Sequence, residues 1–312
     1  MRRRMNRRAF LRGSVSAGVG LLVLKNASLA RTFAANEKVN VALIGVSGRG
    51  GWFVRTMPHL ANVVALCDVN KYRARRVFEK FPDLPKYEDA RVMLDEMDKQ
   101  IDAIVVATPD NTHAVLSAAG IRHGKGVFTE KPLTHDVFES RRLRELTRKH
   151  KVATQMGNQG SSGEHFRRTQ EVIEAGAIGT VRDVHIWNCN GGTGPAPRVN
   201  VESMPVPSTL NWDLWLGPAA DRPYHTKWMR WLGWRDLGTS MLGNWGSHST
   251  YLAFLSLKVG QLWDADPDSA PIIRVTGECS AFEENRFPRT ETVHWEIPAR
   301  GDLPPVTFHW YN

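Results

Sequence analysis

Short apolar runs alternate with amphipathic stretches through the first half of the chain. Val39–Ile44, Val63–Cys67, Ile101–Ala107, Gly126–Glu130 and Val152–Met156 have strand length. The apolar residues of the first of these do not alternate cleanly, which suits strands buried on both faces of a parallel sheet. Between the runs, a segment from Gly51 onward, Arg91–Lys99, His113–His123 and Phe138–His150 carry helical spacing. This alternation predicts an α/β chain with a doubly wound parallel sheet over residues 38–155. The second half reads differently. Glu164–Glu174 is an amphipathic helix ended by Gly176, and Val181–Asn188 alternates as a strand. Thr193–Thr209 is a Pro- and Gly-rich loop, and Ile272–Thr276, Thr290–Ile297 and Val306–Tyr311 read as strands. Residues 156–312 are therefore expected to form a second α/β domain, and a length of 312 residues accommodates two.

Charge changes the picture at one end only. The formal net charge is +9, yet eight basic residues and no acid lie between Arg2 and Arg31. Without those eight, 33 basic residues face 32 acidic ones, so the basic excess belongs to the tail and a nucleic-acid partner is not expected. Within the tail, Arg7-Arg8-Ala9-Phe10-Leu11 has the form of a Tat export signal. A weakly apolar stretch, Gly13–Leu24, follows and is too short to span a bilayer. Small-residue cleavage options come at Ser28-Leu29-Ala30 or near Ala34-Ala35. Residues 1–35 are expected to be a signal, the Tat machinery a partner, and the destination periplasmic, with an uncleaved, membrane-anchored form as the alternative. Cys67, Cys189 and Cys279 are odd in number and far apart, so neither a disulfide framework nor a metal site is expected.

The chemistry-bearing residues cluster at predicted strand ends. After the first strand, Gly45, Ser47 and Gly50 stand in the register of a dinucleotide fingerprint, with serine at the middle position and Gly48 one place later beside Arg49. Such a turn needs tight backbone geometry and a helix N-terminus aimed at a pyrophosphate. Asp68 ends the second strand, where a carboxylate takes ribose hydroxyls and repels a 2′-phosphate, so NAD is expected over NADP. Lys71 and Arg73 keep NADP open. Together these make half of a Rossmann unit. Thr108, Pro109, Asn111 and His113 follow the next strand and either face the nicotinamide half of the cofactor, or cap and pack the following helix through Asp110 or Asn111. Glu130, Lys131 and Pro132 end the strand after it. A lysine there polarises a substrate oxygen, or else closes a strand as a surface Glu–Lys pair. Asn158 lies in a polar turn on the same sheet edge, and with Glu130 and Lys131 it is expected to contact the cofactor.

This ordered series resembles the Gfo/Idh/MocA oxidoreductase family, closest to its exported members. The resemblance runs over 39–312 and includes Ala107-Thr108-Pro109 with His113, Glu130-Lys131-Pro132, Gly157-Asn158-Gln159, Trp212–Pro218 and Gly243–His248. It implies a Rossmann domain, then an α/β domain whose open, mostly antiparallel sheet covers the nicotinamide. It also implies a Lys131–Pro132 bond open to the cis form, His248 as general base and Lys131 beside the reacting oxygen. Asn244 stands where the family commonly has aspartate. It can orient an imidazole but cannot neutralise an imidazolium, which puts the strength of the base in question.

The implied activity is NAD-dependent hydride transfer at a hydroxyl of a sugar, sugar acid or polyol. Alternatives are a glycosidase using NAD transiently and a non-catalytic nucleotide- or sugar-binding sensor. Seven of the eleven tryptophans lie between 187 and 245. Most are expected to pin loops and two to line the pocket, with Tyr224, His225 and Trp234 as substrate contacts. The last strand stops without the family's further turn and strands, so the chain reads as truncated. The expected consequence is an exposed sheet edge through which the chain self-associates.

Overall fold

A parallel sheet forms because its strands have apolar cover on both sides. The structure, a computed structural model, describes residues 38–188, 202–263, 271–280 and 285–312. The signal expected at 1–35, Cys189 and the first part of the 193–209 loop lie outside the described residues. In order, the elements of the first domain are β1 (Asn40–Ile44), α1 (Gly50–Leu60), β2 (Asn62–Cys67), α2 (Lys71–Lys80), β3 (Lys86–Tyr87) and α3 (Ala90–Glu96). They continue as β4 (Ala103–Val106), α4 (Asp110–Arg122), β5 (Gly126–Glu130), α5 (Val137–His150) and β6 (Thr154–Gly157).

The sheet order is β3-β2-β1-β4-β5-β6, parallel throughout. Val41 and Leu43 of β1 pack with Leu66 and Val105 against Phe53, Val54 and Ala74 of α1 and α2. Ala42 and Ile44 pack with Ile104 and Val106 against Met93, Leu94, Ile121 and Leu143 of α3, α4 and α5. The continuous apolar run of β1 is thus two buried faces of one strand. The chain winds outward both ways from β1 and β4, so a crevice opens at their carboxyl ends.

Helix α5 shows how locally such an element is specified. Asp136 accepts from the Glu139 N–H at 2.8 Å, and the Glu139 carboxylate accepts in return from the Asp136 N–H at 3.4 Å. Arg148, Lys149 and His150 occupy the last turn, where their charge suits the helix C-terminus. Asp136→Ala is expected to lower stability by about 1 kcal/mol, measured as a shift in urea midpoint at unchanged slope.

The second domain supplies α6 (Glu164–Glu174), β7 (Asp183–Trp187), α7 (Trp212–Leu216), α8 (Ser240–Ser249), α9 (Tyr251–Ser256), β8 (Arg274–Cys279), β9 (Glu291–Ile297) and β10 (Val306–Tyr311). Its sheet is ordered β7-β10-β9-β8. The β10–β9 and β9–β8 pairs are antiparallel, and β7–β10 is parallel. The last strand therefore lies inside the sheet, and the edges are β7 and β8. Ile186, Ile297, Phe308 and Trp310 turn one face of the sheet onto Met241 of α8 and Leu257 just after α9. That packing holds α8 in place, and α8 carries two of the expected site residues.

Candidate active site

The turn after β1 is shaped by backbone contact. Gly45 has φ +77°, and a Cβ on it would lie 2.5 Å from the Ala107 carbonyl oxygen. A Cβ on Gly50 would overlap the Gly45 carbonyl oxygen itself. Helix α1 starts at Gly50 and so can begin directly over the end of β1, with the Gly50, Gly51 and Trp52 N–H groups donating to the Ser47, Gly48 and Arg49 carbonyls of the turn at 2.9, 3.2 and 3.0 Å. Asp68, at the end of β2, is buried and held in one orientation. Its Oδ2 accepts from the Val46 N–H at 3.1 Å and the Ser47 hydroxyl at 3.2 Å, and its Oδ1 accepts from the Asn70 N–H at 2.9 Å. Burial raises its pKa, and those donors act against the rise.

A cavity of about 590 Å³ opens here, lined by Gly45, Ser47, Gly48, Arg49, Asp68, Thr108 and Pro109 among others. A tight glycine turn, a helix N-terminus and a fixed carboxylate beside one cavity fit a dinucleotide. The Asp68 carboxylate in the wall suits free ribose hydroxyls. Of the two cations that left NADP open, Lys71 is ion-paired to Glu88, while Arg73 lines the cavity.

Beyond the cavity, strand ends and α8 bring a second group together. The Lys131–Pro132 bond is cis. Lys131 Nζ donates to the Asn244 carbonyl at 3.0 Å and to Asn244 Oδ1. An ammonium has three donors, so one N–H is left for a ligand oxygen. Burial lowers the Lys131 pKa, and the carboxylates of Asp110 and Glu130 oppose this.

His248 lies one turn beyond Asn244 on the same helix, but its partner is Asn158. The Asn158 Nδ2 donates to the Ser247 carbonyl at 2.6 Å, which sets the amide orientation. Asn158 Oδ1 then accepts from His248 Nδ1 at 2.7 Å. An amide oxygen only accepts, so the neutral imidazole carries its proton on Nδ1 and leaves Nε2 bare. Burial, and next the charge of Lys131, lowers the His248 pKa, which favours the neutral ring.

Several expectations change at this point. Asn244 does not orient His248; it holds Lys131, and Asn158, expected at the cofactor, orients the His248 ring instead. Asn111 turns toward the second domain, its Nδ2 donating to the Leu216 carbonyl at 2.7 Å, and it does not cap its own helix. His113 is 1% exposed, and its nitrogens lie 2.7 Å from the Pro132 carbonyl and 2.9 Å from the Thr108 carbonyl. It ties two strand-end turns together and does not face the cavity.

Glu130 is likewise buried, bound to Arg49 Nε at 2.9 Å, so it fastens the glycine turn to β5. Tyr224 and Trp234 are buried with Trp228 and Leu237. The Trp234 indole donates to the Lys227 carbonyl at 3.2 Å, and His225 Nδ1 accepts from the Lys227 N–H at 3.0 Å. These three build a loop and stand outside both the cavity and the Lys131–His248 group. Asp110 escaped the sequence reading as a site residue. It is 1% exposed, accepts from the Thr239 hydroxyl at 2.6 Å, and sits within electrostatic reach of Lys131. Its position one residue past Pro109 was the only signal.

Comparison with known proteins agrees with this geometry. Residues 39–158 match the GFO_IDH_MocA family, described as an oxidoreductase family with NAD-binding Rossmann fold. Residues 163–267 match that family's C-terminal alpha/beta domain. The myo-inositol 2-dehydrogenase of Thermotoga maritima is 26% identical over 165 residues, which is 52% of this chain and 49% of that protein. The scyllo-inositol 2-dehydrogenase (NAD(+)) of Bacillus subtilis is 31% identical over 148 residues, 46% of this chain and 42% of that protein. The chain thus spans about half the length of the curated relatives it matches. In fold it is similar to an inositol dehydrogenase homologue from Azotobacter vinelandii solved with NAD+, with a TM-score of 0.63 at 18% identity over 88% of this chain and 64% of that one. This chain belongs to the Gfo/Idh/MocA oxidoreductase family, with an NAD-binding Rossmann domain at 39–158 and the family's C-terminal α/β domain following it.

Proposed function

We propose that the chain oxidises a hydroxyl-bearing carbon of a polyol, sugar or sugar acid, or reduces the corresponding ketone, with NAD. The observation that carries this reading is the pairing of a bare His248 Nε2 with the Lys131 ammonium at the crevice end away from Asp68. Bound NAD supplies the acceptor for the hydride that leaves the carbinol carbon. His248 Nε2 takes the hydroxyl proton, with the ring held in the correct tautomer by Asn158. Lys131 points its remaining N–H at the same oxygen and stabilises the charge that gathers there. Asn244 aims the ammonium, and its neutral side chain leaves that charge undiminished. Inositol dehydrogenases among the relatives make cyclic polyols the first substrates to try. The twin-arginine tail supports an exported protein, tested by the mass and compartment of the mature form.

A screen of inositols, hexoses and uronic acids for NADH formation tests the reading. With a responsive substrate, kcat/KM is expected to fall at acid pH with an apparent pKa below 6.5, because protonation of a histidine with a lowered pKa removes the base. Asn244→Asp is expected to move that limb upward, since a carboxylate on Lys131 cancels the charge that disfavours the imidazolium. NADH formation from no substrate class, or an acid limb indifferent to His248→Ala, overturns the assignment.

A further inference from the structure

The cavity that holds Asp68 is walled on its far side by the second domain. Leu214, Trp215, Pro218, Met229 and Trp231 line it, facing Val69, Asp68 and α4. Lys131, Asn244 and His248 do not, so the cavity belongs to the nucleotide end remote from the reacting carbon. The wall is fastened to the first domain at two points. Main-chain bonds run from the Lys71 N–H to the Thr209 carbonyl at 2.8 Å and from the Asn211 N–H to the Val69 carbonyl at 2.9 Å, so residues 209–211 lie along the turn that carries Asp68.

At its other end, Leu216 accepts from Asn111, and Gly217 sits against Thr112, where a Cβ would lie 2.8 Å from Cγ2 at φ +56°. Internal contacts stiffen the span. Trp212 stacks on Trp215 at 4.9 Å, its indole donates to the Arg222 carbonyl at 2.8 Å, and Asn211 caps α7 by accepting from the Leu214 N–H at 3.1 Å.

We infer that residues 209–231 complete the adenosine half of the dinucleotide site, with Trp231 and Met229 as the apolar wall for the purine. The inference rests on the NAD reading and extends it from the Rossmann domain to the second domain. Trp231 and Met229 are only partly buried in their own cluster, so their remaining surface is turned to the cavity. A purine offers a flat face that stacks on an indole whatever its hydrogen-bonding pattern, whereas ribose and phosphates demand polar partners. The glycine turn, α1 and Asp68 supply those polar partners.

The test is calorimetric titration of the full chain with NAD and with ADP-ribose, which lacks the nicotinamide ring. Trp231→Ala is expected to weaken both ligands by the same factor, about tenfold, and Trp231→Phe to restore most of the loss. Met229→Ala, checked for an unchanged melting curve, gives a smaller loss of the same kind and keeps the test open if Trp231→Ala fails to fold. Folded Trp231→Ala binding ADP-ribose as tightly as wild type overturns the inference and leaves the NAD reading standing. Wild type that binds neither ligand overturns both.

Discussion

Lys131→Met is expected to lower kcat on a responsive polyol or sugar by about a thousandfold, the effect of removing a donor aimed at the oxygen where charge develops. NAD affinity, measured by titration, is expected to stay near wild type, because Lys131 lies outside the cavity that takes the nucleotide. A second readout separates this from simple damage to the site. The Lys131 charge helps to hold the His248 pKa down, so without it the acid limb of kcat/KM moves up toward the ordinary histidine value. Stability gives a third. The buried ammonium is itself unfavourable, and methionine has similar length, so the melting point is not expected to fall far. A variant that keeps a tenth of the activity, or whose acid limb does not move, contradicts the role given to Lys131.

Gly50→Ala is expected to destabilise the chain by about 3 kcal/mol or more and to abolish measurable NAD binding. The added methyl meets the Gly45 carbonyl, which is backbone and cannot rotate away. Relief requires α1 to lift from the end of β1, taking its N-terminal N–H groups with it. Gly51→Ala is the internal control. There a Cβ meets the tip of the Arg55 side chain at 3.7 Å and the Val46 carbonyl oxygen at 4.0 Å, both ordinary contacts. The change is expected to stabilise by about 0.5 kcal/mol, since alanine is the better helix former. Urea denaturation of the two variants should give opposite signs from the same substitution at adjacent positions. Equal and small effects would mean that the turn is not as tightly closed as the geometry requires.

The parallel half of the molecule was legible because its signals are local. An apolar run such as Val41–Ile44 declares burial on both faces, and Gly45 and Gly50 declare a turn that no side chain fits. The four-residue spacing of Asn244 and His248 correctly placed them on one face of a helix. Spacing does not say what a face meets. His248 found Asn158, 90 residues away, and Asn244 found Lys131, 113 residues away. Such pairings carry no periodicity, and only the docking of α8 against the ends of β5 and β6 decides them. Tyr224, His225 and Trp234 were misread for a related reason. An aromatic with a polar handle suits a sugar pocket and a pinned loop equally well; for His225 and Trp234 the deciding partner, Lys227, offers only backbone atoms, and Tyr224 is buried edge-on to Trp212. Asp110 was invisible as a site residue because its hydrogen-bond partner, Thr239, is a residue of the other domain.

The His113 ring has a consequence for how this scaffold can acquire new specificities. One buried side chain lies between the Thr108 turn and the Pro132 turn, its nitrogens 2.9 and 2.7 Å from their carbonyls. The lips of the crevice that carry the cofactor side of the chemistry therefore shift together or not at all. Substitutions near either lip are felt at both, so few of them can retune one without disturbing the other. Divergence is thereby steered away from these two turns, which are inherited as a single mechanical unit.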